Sequence, residues 1–322
     1  MAAASDRVIV AYVGGYSRSG STLLDRMLGQ LSGGASTGEL VYLTLNSLGR
    51  NRLCGCGRHF SSCGFWRAVG ERAFGGWDSD EARELVELHP EVVRHRKVVF
   101  LVAPLLAPRF RRKLRRYAEL LARLYRAIAD VKGTGLVIDS SVDPAYAYVL
   151  RRLPGVELRS VHLVRDSRGT AFSWTKRQLM QSSPHEAAEK GTYPPLVTAL
   201  RWDVYHLLFA FLRLLGVPQI VVRYEDMAQR PRETVARVLE HLDHPADGSA
   251  ERCFADASTI VLEPQHTALG NDMRFRTGPL TLRSDDAWRT SLPRRQRLLV
   301  FLTTLPLLAL YGYLVSLGDG IG

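Results

Sequence analysis

The sequence is poor in cysteine, with four among its 322 residues. So few cysteines exclude the dense disulfide framework of a small secreted domain, and Cys253, which stands alone among apolar residues, is predicted to lie in the core. No charged and apolar leader precedes the first strand-like run at Val8, and there is no internal repeat or low-complexity tract. With 46% apolar residues the chain can bury a full core. We therefore expect a single globular domain over residues 1–322, located in the cytoplasm.

Acidic residues are outnumbered by basic ones, which gives a formal charge of +11 and a pI near 9.8. This balance favours an anionic partner, such as a phosphorylated cofactor, a nucleic acid or an acidic membrane, without choosing among them. Six basic residues fall within 109–116, in a segment whose apolar residues recur every three or four positions: Phe110, Leu114, Tyr117, Leu121, Leu124 and Ile128. The pattern predicts an amphipathic helix. Its basic half is either a solvated face or a site that attracts an anionic acceptor or a membrane.

Short β-branched runs alternate with helical patterns along most of the chain. The predicted strands are 8–13, 136–139, 158–164 and 219–224, and the predicted helices are 23–31, one opening near 143–144, 168–181 and 231–242. This alternation is typical of a parallel sheet covered on both faces by helices, which makes an α/β three-layer fold. Ligands of such sheets bind beyond the carboxyl ends of the strands. The loops after Val13, Asp139 and Val164 should therefore converge.

The strand signal fades between residues 45 and 134, which we interpret as a mostly helical insertion or cap over the acceptor site. It contains the pattern Cys54-x-Cys56-x6-Cys63, with His59 between the last two cysteines. Three thiolates and an imidazole can bind zinc, but the paired Cys-x-x-Cys turns of most zinc sites are missing. A local disulfide and a metal-free structural knot are the alternatives. We expect no bound metal.

The end of the chain is strongly apolar, and residues 298–318 contain no charged side chain. This length can span a membrane. Pro306 and Gly312 lie within the stretch, however, and a single domain must bury its last helix. A terminal core helix is the preferred interpretation, with a membrane anchor as the alternative.

The first strand leads into Gly15-Tyr-Ser-Arg-Ser-Gly20-Ser21-Thr22. The two glycines and the final Thr have the spacing of a nucleotide-triphosphate phosphate loop, but Ser21 stands where that motif has Lys. The loop N–H groups and the start of the next helix can still bind a phosphate. Without the lysine ammonium, the loop suits a donor less charged than ATP.

This segment, followed by two leucines, resembles the 5′-phosphosulfate loop of the sulfotransferase family. A second segment, Val161-His-Leu-Val-Arg165-Asp-Ser-Arg-Gly-Thr-Ala-Phe-Ser173, resembles the 3′-phosphate element of that family. The resemblance implies a P-loop-like fold and use of 3′-phosphoadenylyl sulfate without a metal. The donor contacts that it implies are Arg18, Ser19, Gly20, Ser21, Thr22, Arg165 and Ser173.

Two later segments extend the resemblance to about residue 280. The run around Tyr224-Glu225-Asp226 is similar to the late strand and helix of the family and is interpreted as scaffold. The segment from His266 to Arg276 resembles the loop that closes over the bound nucleotide in bacterial members. It implies Asn271 and Arg274 as further donor contacts.

Sulfuryl transfer needs a cation near the leaving oxygen and a base for the acceptor hydroxyl. The resemblance assigns these roles to Arg18 and to Glu39, which matches the base of the tyrosyl-protein branch; His59 and His162 are rival bases, although His162 lies inside a predicted strand. Val142 departs from the family, because many relatives have a Lys there. Arg276 or Lys176 can substitute for that Lys, or turnover is weak.

The acceptor remains open and can be a small molecule, a carbohydrate, a lipid or a peptide. We expect no nucleic-acid partner, and contact with a membrane surface stays an alternative; the sequence does not give the oligomeric state. Two other functions are kept. One is a phosphate-loop kinase, in which Asp139 would organise magnesium, and the other is an inactive relative that binds nucleotide.

Overall fold

The structure is a computed structural model that describes residues 7–176, 178–183, 186–244 and 253–314, with the backbone alone for 178–190. Its strands are β1 (Val8–Gly15), β2 (Ala35–Ser36), β3 (Leu136–Val142), β4 (Val156–Val164), β5 (Gln178–Ser183), β6 (Glu186–Lys190), β7 (Gln219–Arg223), β8 (Thr259–Leu262) and β9 (Gly278–Thr281).

The helices are α1 (Ser21–Leu31), α2 (Gly64–Phe74), α3 (Asp80–Val92), α4 (Val98–Val102), α5 (Pro108–Lys132), α6 (Pro144–Leu150), α7 (Ser167–Thr175), α8 (Pro195–Leu214), α9 (Tyr224–Gln229), α10 (Pro231–His241), α11 (Trp288–Ser291) and α12 (Arg294–Leu310). Short 3₁₀ turns occupy Leu40–Tyr42, Phe60–Ser62, His95–Lys97, Pro104–Leu106 and Asp272–Phe275, and Leu43–Leu48 is π-helical.

The central sheet has five parallel strands in the order β2-β3-β1-β4-β7. The four predicted strands are therefore confirmed, and they lie side by side. The two-residue strand β2 was not predicted, because so short a segment carries no periodic signal. The predicted helix 168–181 is wrong at its end: α7 stops at Thr175, and residues 178–183 pair with 186–190 as an antiparallel hairpin.

The sheet is buried on both faces because the alternate side chains of each strand enter different cores. Val10 and Tyr12 of β1 pack into a core shared with α2, α3, α5 and α6. Ala11 and Val13 pack on the other face against α1 and α10. This arrangement confirms the three-layer α/β fold.

The segment 45–134 is helical, as expected, and it shares the first core instead of forming one of its own. Helix α5 buries Leu114, Tyr117, Leu121, Leu124 and Ile128, as its periodicity predicted. Part of its basic face is paired at the surface: Lys113 with Glu91, Arg116 with Glu84 and Arg115 with Glu119. Surface pairs of this kind favour the solvated-face interpretation.

The terminal apolar segment forms α12, which packs along α7 and α8. Val300, Thr304, Leu307 and Leu308 are buried, whereas Leu298, Leu302 and Leu310 are exposed. No helix in the described part of the chain has the length and apolarity needed to cross a bilayer. The core-helix interpretation therefore fits residues 294–310, and residues 315–318 of the apolar stretch lie outside the described residues.

We expect Leu124→Ala to lower the free energy of unfolding by about 2–5 kcal/mol, because Leu124 is fully buried in the core that joins the insertion to the sheet. Leu105→Ala is the matched control, since that side chain is 74% exposed. Its effect should stay within about 0.5 kcal/mol. Urea unfolding followed by circular dichroism measures both. Separate unfolding transitions for the insertion and the sheet would contradict a shared core.

Candidate active site

The phosphate loop links β1 to α1 at the carboxyl edge of the sheet. Gly15 and Gly20 have φ angles of 141° and 88°, which side chains rarely adopt, and Gly20 lies against the ring of Tyr224. Ser19 donates its hydroxyl to the carbonyl of Tyr16 over 2.6 Å, which holds the loop closed. Ser21 and Thr22 are the first two residues of α1. The loop is therefore shaped to receive an anion at a helix N-terminus.

Arg18 projects from the tip of this loop, and its backbone has a φ of 78°. Its guanidinium lies over the ring of Trp174, 4.9 Å from the centroid. All three guanidinium nitrogens are buried, and none has a hydrogen-bond partner among the described residues. Burial lowers the pKa of Arg18. A buried cation without a partner is costly, so this position favours an anionic ligand.

Arg165 follows β4 and turns towards the same loop. Its Nη1 donates to the carbonyl of Arg18 over 2.9 Å, and its Nη2 donates to the Asp285 carboxylate over 2.9 Å. The guanidinium also lies 4.5 Å from the centroid of the Tyr224 ring. The prediction that the loops after β1 and β4 converge is confirmed. Arg165 pairs with Asp285 and not with its neighbour Asp166, which binds Arg168.

Ser173 lies on α7, next to the Trp174 that supports Arg18, and it is almost fully buried. Helix α7 thus connects the Arg165 segment to the phosphate loop. Tyr224 contacts both Gly20 and Arg165, and Glu225 accepts from the backbone N–H of Asp166. These contacts fit the interpretation of the segment 224–226 as scaffold.

Glu39 lies on the loop after β2, where its backbone N–H donates to the carbonyl of Leu269 over 3.0 Å. A Cβ added to Gly270, the residue after Leu269, would lie 3.6 Å from the Thr22 side chain. The structure therefore brings Glu39, the segment 266–276 and the phosphate loop together. Glu39 as the base remains a prediction.

The two predicted contacts on the segment 266–276 have different surroundings. Asn271 is exposed, and its side chain caps the following turn by accepting from Met273 N–H. Arg274 is 2% exposed and donates to the carbonyls of Gly270 and Leu53. In this structure Arg274 joins the segment to the cysteine-containing insertion. Of these two side chains, that of Asn271 is the one exposed at the surface.

Val142 stands where the family pattern has a Lys, and it ends β3 with a φ of 54°. A β-branched residue rarely adopts this conformation, so the backbone there is strained. Ser141 points inward and donates to Asp139, and the next helix is capped by Asp143 instead. Two basic residues were expected to substitute for the lysine that is missing at position 142. Lys176 packs on Phe172, and Arg276 is exposed.

The two rival bases have surroundings that differ from each other. His162 is fully buried in β4 and lies 2.7 Å from His206, nitrogen to nitrogen, as expected for a core residue. Burial lowers the pKa of His162 to about 3. His59 is exposed, with Nδ1 2.9 Å from the Asn51 carbonyl.

Two buried acids, Asp25 and Asp139, lie near the backbone on either side of Glu39. Asp25 was not predicted as a site residue from the sequence. Ser36 donates to Asp25 over 2.6 Å, and both Tyr125 and Ser141 donate to Asp139. Burial raises the pKa of Asp25 to about 8 and that of Asp139 to about 6. Both are fully buried, so neither reaches the mouth of the site. This placement disfavours Asp139 as the magnesium residue of a kinase.

A group of aromatic rings beside Arg18 was also missed, because its members come from distant segments. Tyr16 contacts Trp174 and Tyr205 with centroid separations of 6.0 and 5.1 Å. Trp174 in turn contacts Tyr193, and the Arg201 guanidinium covers the Tyr193 ring. We call these five residues the aromatic wall.

His95 joins the edge of the aromatic wall from the insertion. Its ring contacts Tyr205, and its Nε2 lies 3.1 Å from an Asp143 carboxylate oxygen. The hydrogen bond with Asp143 raises the pKa of His95. His95 is half exposed, so the site contains a second candidate base.

Comparison with known proteins identifies the family and the fold of this chain. A model of the sulfotransferase family matches residues 11–248. A solved structure, the sulfotransferase domain from the Synechococcus PCC 7002 olefin synthase, is similar over 93% of this chain and 94% of its own, with 18% identity and a TM-score of 0.51. The sulfotransferase domain from the curacin biosynthetic pathway is similar over 93% of this chain and 98% of its own, with 16% identity and a TM-score of 0.46. No curated protein sequence matches this chain.

The phosphate loop, the convergent arginines and the parallel sheet thus define an α/β protein of the P-loop-like class. The family match covers most of the chain, which belongs to the sulfotransferase family.

We expect Asp25→Asn to flatten the pH dependence of stability between about pH 6 and pH 8. Burial raises the pKa of Asp25 from its ordinary value of 3.8 to about 8, so the native state retains a proton that the unfolded state has lost, and stability falls as the pH rises. One such proton contributes a slope of about 1.4 kcal/mol per pH unit. Urea unfolding of both proteins at several pH values measures the difference. Parallel pH profiles would contradict the raised pKa.

Proposed function

We propose that this protein transfers a sulfuryl group from 3′-phosphoadenylyl sulfate to a hydroxyl of an acceptor. The observation that carries the proposal is the buried guanidinium of Arg18 at the tip of the phosphate loop, which has no hydrogen-bond partner among the residues that the structure describes. It supplies a positive charge at the loop where an anionic group is expected to bind, and family membership makes sulfate the transferred group.

The chain offers two phosphate-binding elements at a short separation. The loop N–H groups and the hydroxyls of Ser21 and Thr22 suit the 5′-phosphosulfate at the start of α1. Arg165 suits the 3′-phosphate, because its planar guanidinium already binds one oxyanion, the Asp285 carboxylate. A 3′-phosphate would share or replace that contact. Ser173 and Asn271 are proposed as further donor contacts, and we propose no metal in the reaction.

In the proposed reaction the acceptor oxygen forms a bond to sulfur as the bond from sulfur to the 5′-phosphate oxygen breaks. The leaving phosphate takes that electron pair, and Arg18 stabilises the charge that develops on it. Glu39 takes the proton of the acceptor hydroxyl. The products are a sulfate ester and adenosine 3′,5′-bisphosphate.

The aromatic wall favours an acceptor whose hydroxyl is carried on a ring. Tyr16 and Trp174 are buried, but Tyr193 and Tyr205, which pack against them, are partly exposed, and such rings can stack on phenols and on the apolar faces of sugars. Among the acceptors left open by the sequence, a phenol or a carbohydrate therefore fits better than a lipid chain.

The proposal is tested by incubating the full chain with sulfur-labelled donor and a panel of phenolic and carbohydrate acceptors, with products read by mass spectrometry. Calorimetry compares binding of adenosine 3′,5′-bisphosphate with binding of ATP plus magnesium. Labelled ester and preference for the bisphosphate are expected. Preference for ATP would support a kinase, and donor binding without transfer to any acceptor would support an inactive relative.

Arg165→Ala and Arg18→Ala should affect different steps. Arg165→Ala should weaken donor binding by roughly 10- to 100-fold, because it removes a charge-assisted contact to phosphate. Arg18→Ala should chiefly lower kcat. Arg159→Ala is the control, since Arg159 lies at the other end of β4 and binds Asp243. Calorimetry gives the Kd and steady-state assays give kcat. Equal donor affinity for wild type and Arg165→Ala would count against the site.

Glu39→Gln should retain donor binding and lose at least about 100-fold in kcat, because general-base catalysis contributes that much. His95→Gln is the matched comparison, as the other candidate base beside the site. It should keep most of the activity. The reverse result, with activity lost only in His95→Gln, would move the base to the His95 and Asp143 pair.

A further inference from the structure

Four metal-binding side chains converge at the junction between the insertion and the segment 266–276. They are Cys54, Cys56, Cys63 and His266, and their ligand atoms all lie within 4.8 Å of one another. Three come from one short segment, and the fourth comes from more than 200 positions later in the chain. His59, the histidine that the sequence pattern offered as the fourth ligand, points away.

Four of the six distances between ligand atoms in this cluster are close to the edges of a tetrahedron around zinc. The Sγ atoms of Cys63 and Cys54 are 3.7 Å apart, and those of Cys63 and Cys56 are 3.8 Å apart. Zinc with Zn–S bonds of about 2.3 Å in tetrahedral geometry gives an S–S edge of about 3.8 Å. His266 Nδ1 lies 3.3 Å from Cys63 Sγ and 3.9 Å from Cys54 Sγ. In a tetrahedral zinc site the sulfur and nitrogen ligands are about 3.6 Å apart, so one observed distance is slightly shorter and the other slightly longer. A disulfide would need about 2.05 Å.

The backbone around the cysteines is built to hold these positions. Cys54 N–H donates to Arg58 and Gly57 N–H donates back to Cys54, which closes a tight turn. Gly55 N–H donates to Thr267 over 2.9 Å, and a Cβ on Gly55 would lie 2.3 Å from the Thr267 hydroxyl. The turn and the segment that carries His266 are therefore directly joined.

The histidine ligand is oriented by two aromatic residues. The ring of Phe65 stacks on the His266 imidazole at 5.1 Å with an interplanar angle of 11°. Trp66 donates its indole N–H to the His266 carbonyl over 2.9 Å. Supporting contacts of this kind, which fix the ring of a ligating histidine, are a regular feature of metal sites.

We propose that Cys54, Cys56, Cys63 and His266 bind one structural zinc ion. Three thiolates and an imidazole match the preference of zinc, and four protein ligands leave no open position for catalysis. Such a site carries a charge of about −1. Arg274, buried beside it and bonded to the Leu53 carbonyl, supplies a compensating positive charge.

The zinc would fix the segment that lies against the donor loop. Leu269 and Gly270 follow His266 by three and four residues, and they contact Glu39 and Thr22. The inference goes beyond the proposed sulfuryl transfer and stands without it, because the metal content does not depend on the reaction.

The test uses the full chain purified with reductant and without chelator. Elemental analysis should find about one zinc per chain, and replacement by cobalt should give the visible bands of tetrahedral cobalt with thiolate charge transfer. Absence of both signals would overturn the proposal. A disulfide between any two of the three cysteines in this reduced protein, found by mass spectrometry, would also overturn it.

Variants assign the ligands. His266→Ala should weaken zinc binding by at least about tenfold, and His59→Ala should leave it unchanged. His266→Cys should restore the metal with stronger thiolate charge transfer, which separates ligand loss from misfolding. Loss of zinc in His59→Ala with retention in His266→Ala would refute this ligand set. Donor binding, measured separately by calorimetry, reports on the proposed function independently.

Discussion

The hydrogen bond from Arg165 to the carbonyl of Arg18 is the contact on which the site depends. It joins the loop after β4 to the loop after β1, and it places two guanidinium groups at the same edge of the sheet. Each group lies over an aromatic ring, Tyr224 for Arg165 and Trp174 for Arg18. Because Arg165 has the Asp285 carboxylate and Arg18 has no anionic partner within the described residues, the edge favours a further anion.

Two residues at this same edge have strained backbone conformations. Arg18 and Val142 both have positive φ angles, and they occupy the ends of neighbouring parts of the sheet. Such conformations cost free energy and persist only where the surrounding structure enforces them. Here the enforcing contacts include the buried Ser141 and Asp139 pair below Val142 and the closed loop held by Ser19.

The insertion is part of the site because it shares the core of the sheet. Its helices pack on Val10 and Tyr12 of β1, and its cysteine turn is bonded to the segment 266–276. That segment then reaches Glu39 and the start of α1. A continuous set of contacts therefore runs from the insertion to the phosphate loop.

By itself, the sequence determined the local units. The strand, loop and helix around Gly15 to Thr22 could be predicted because glycine conformations, apolar periodicity and helix starts depend on near neighbours. The parallel order of the sheet followed from the alternation of such units. The predicted helix 168–181 was too long, since α7 ends at Thr175 and residues 178–183 form a strand. A helical pattern in the sequence does not show where pairing with another strand replaces the helix.

Only the tertiary structure decided which distant residues meet. His266, not His59, joins the cysteines, Arg274 binds backbone carbonyls, and Tyr16, Trp174 and Tyr205 form one wall. These pairings carry no local pattern, because contacts between residues far apart in the chain are fixed by how the elements pack. The residues were visible in the sequence, but their partners were set by the burial of both faces of the sheet.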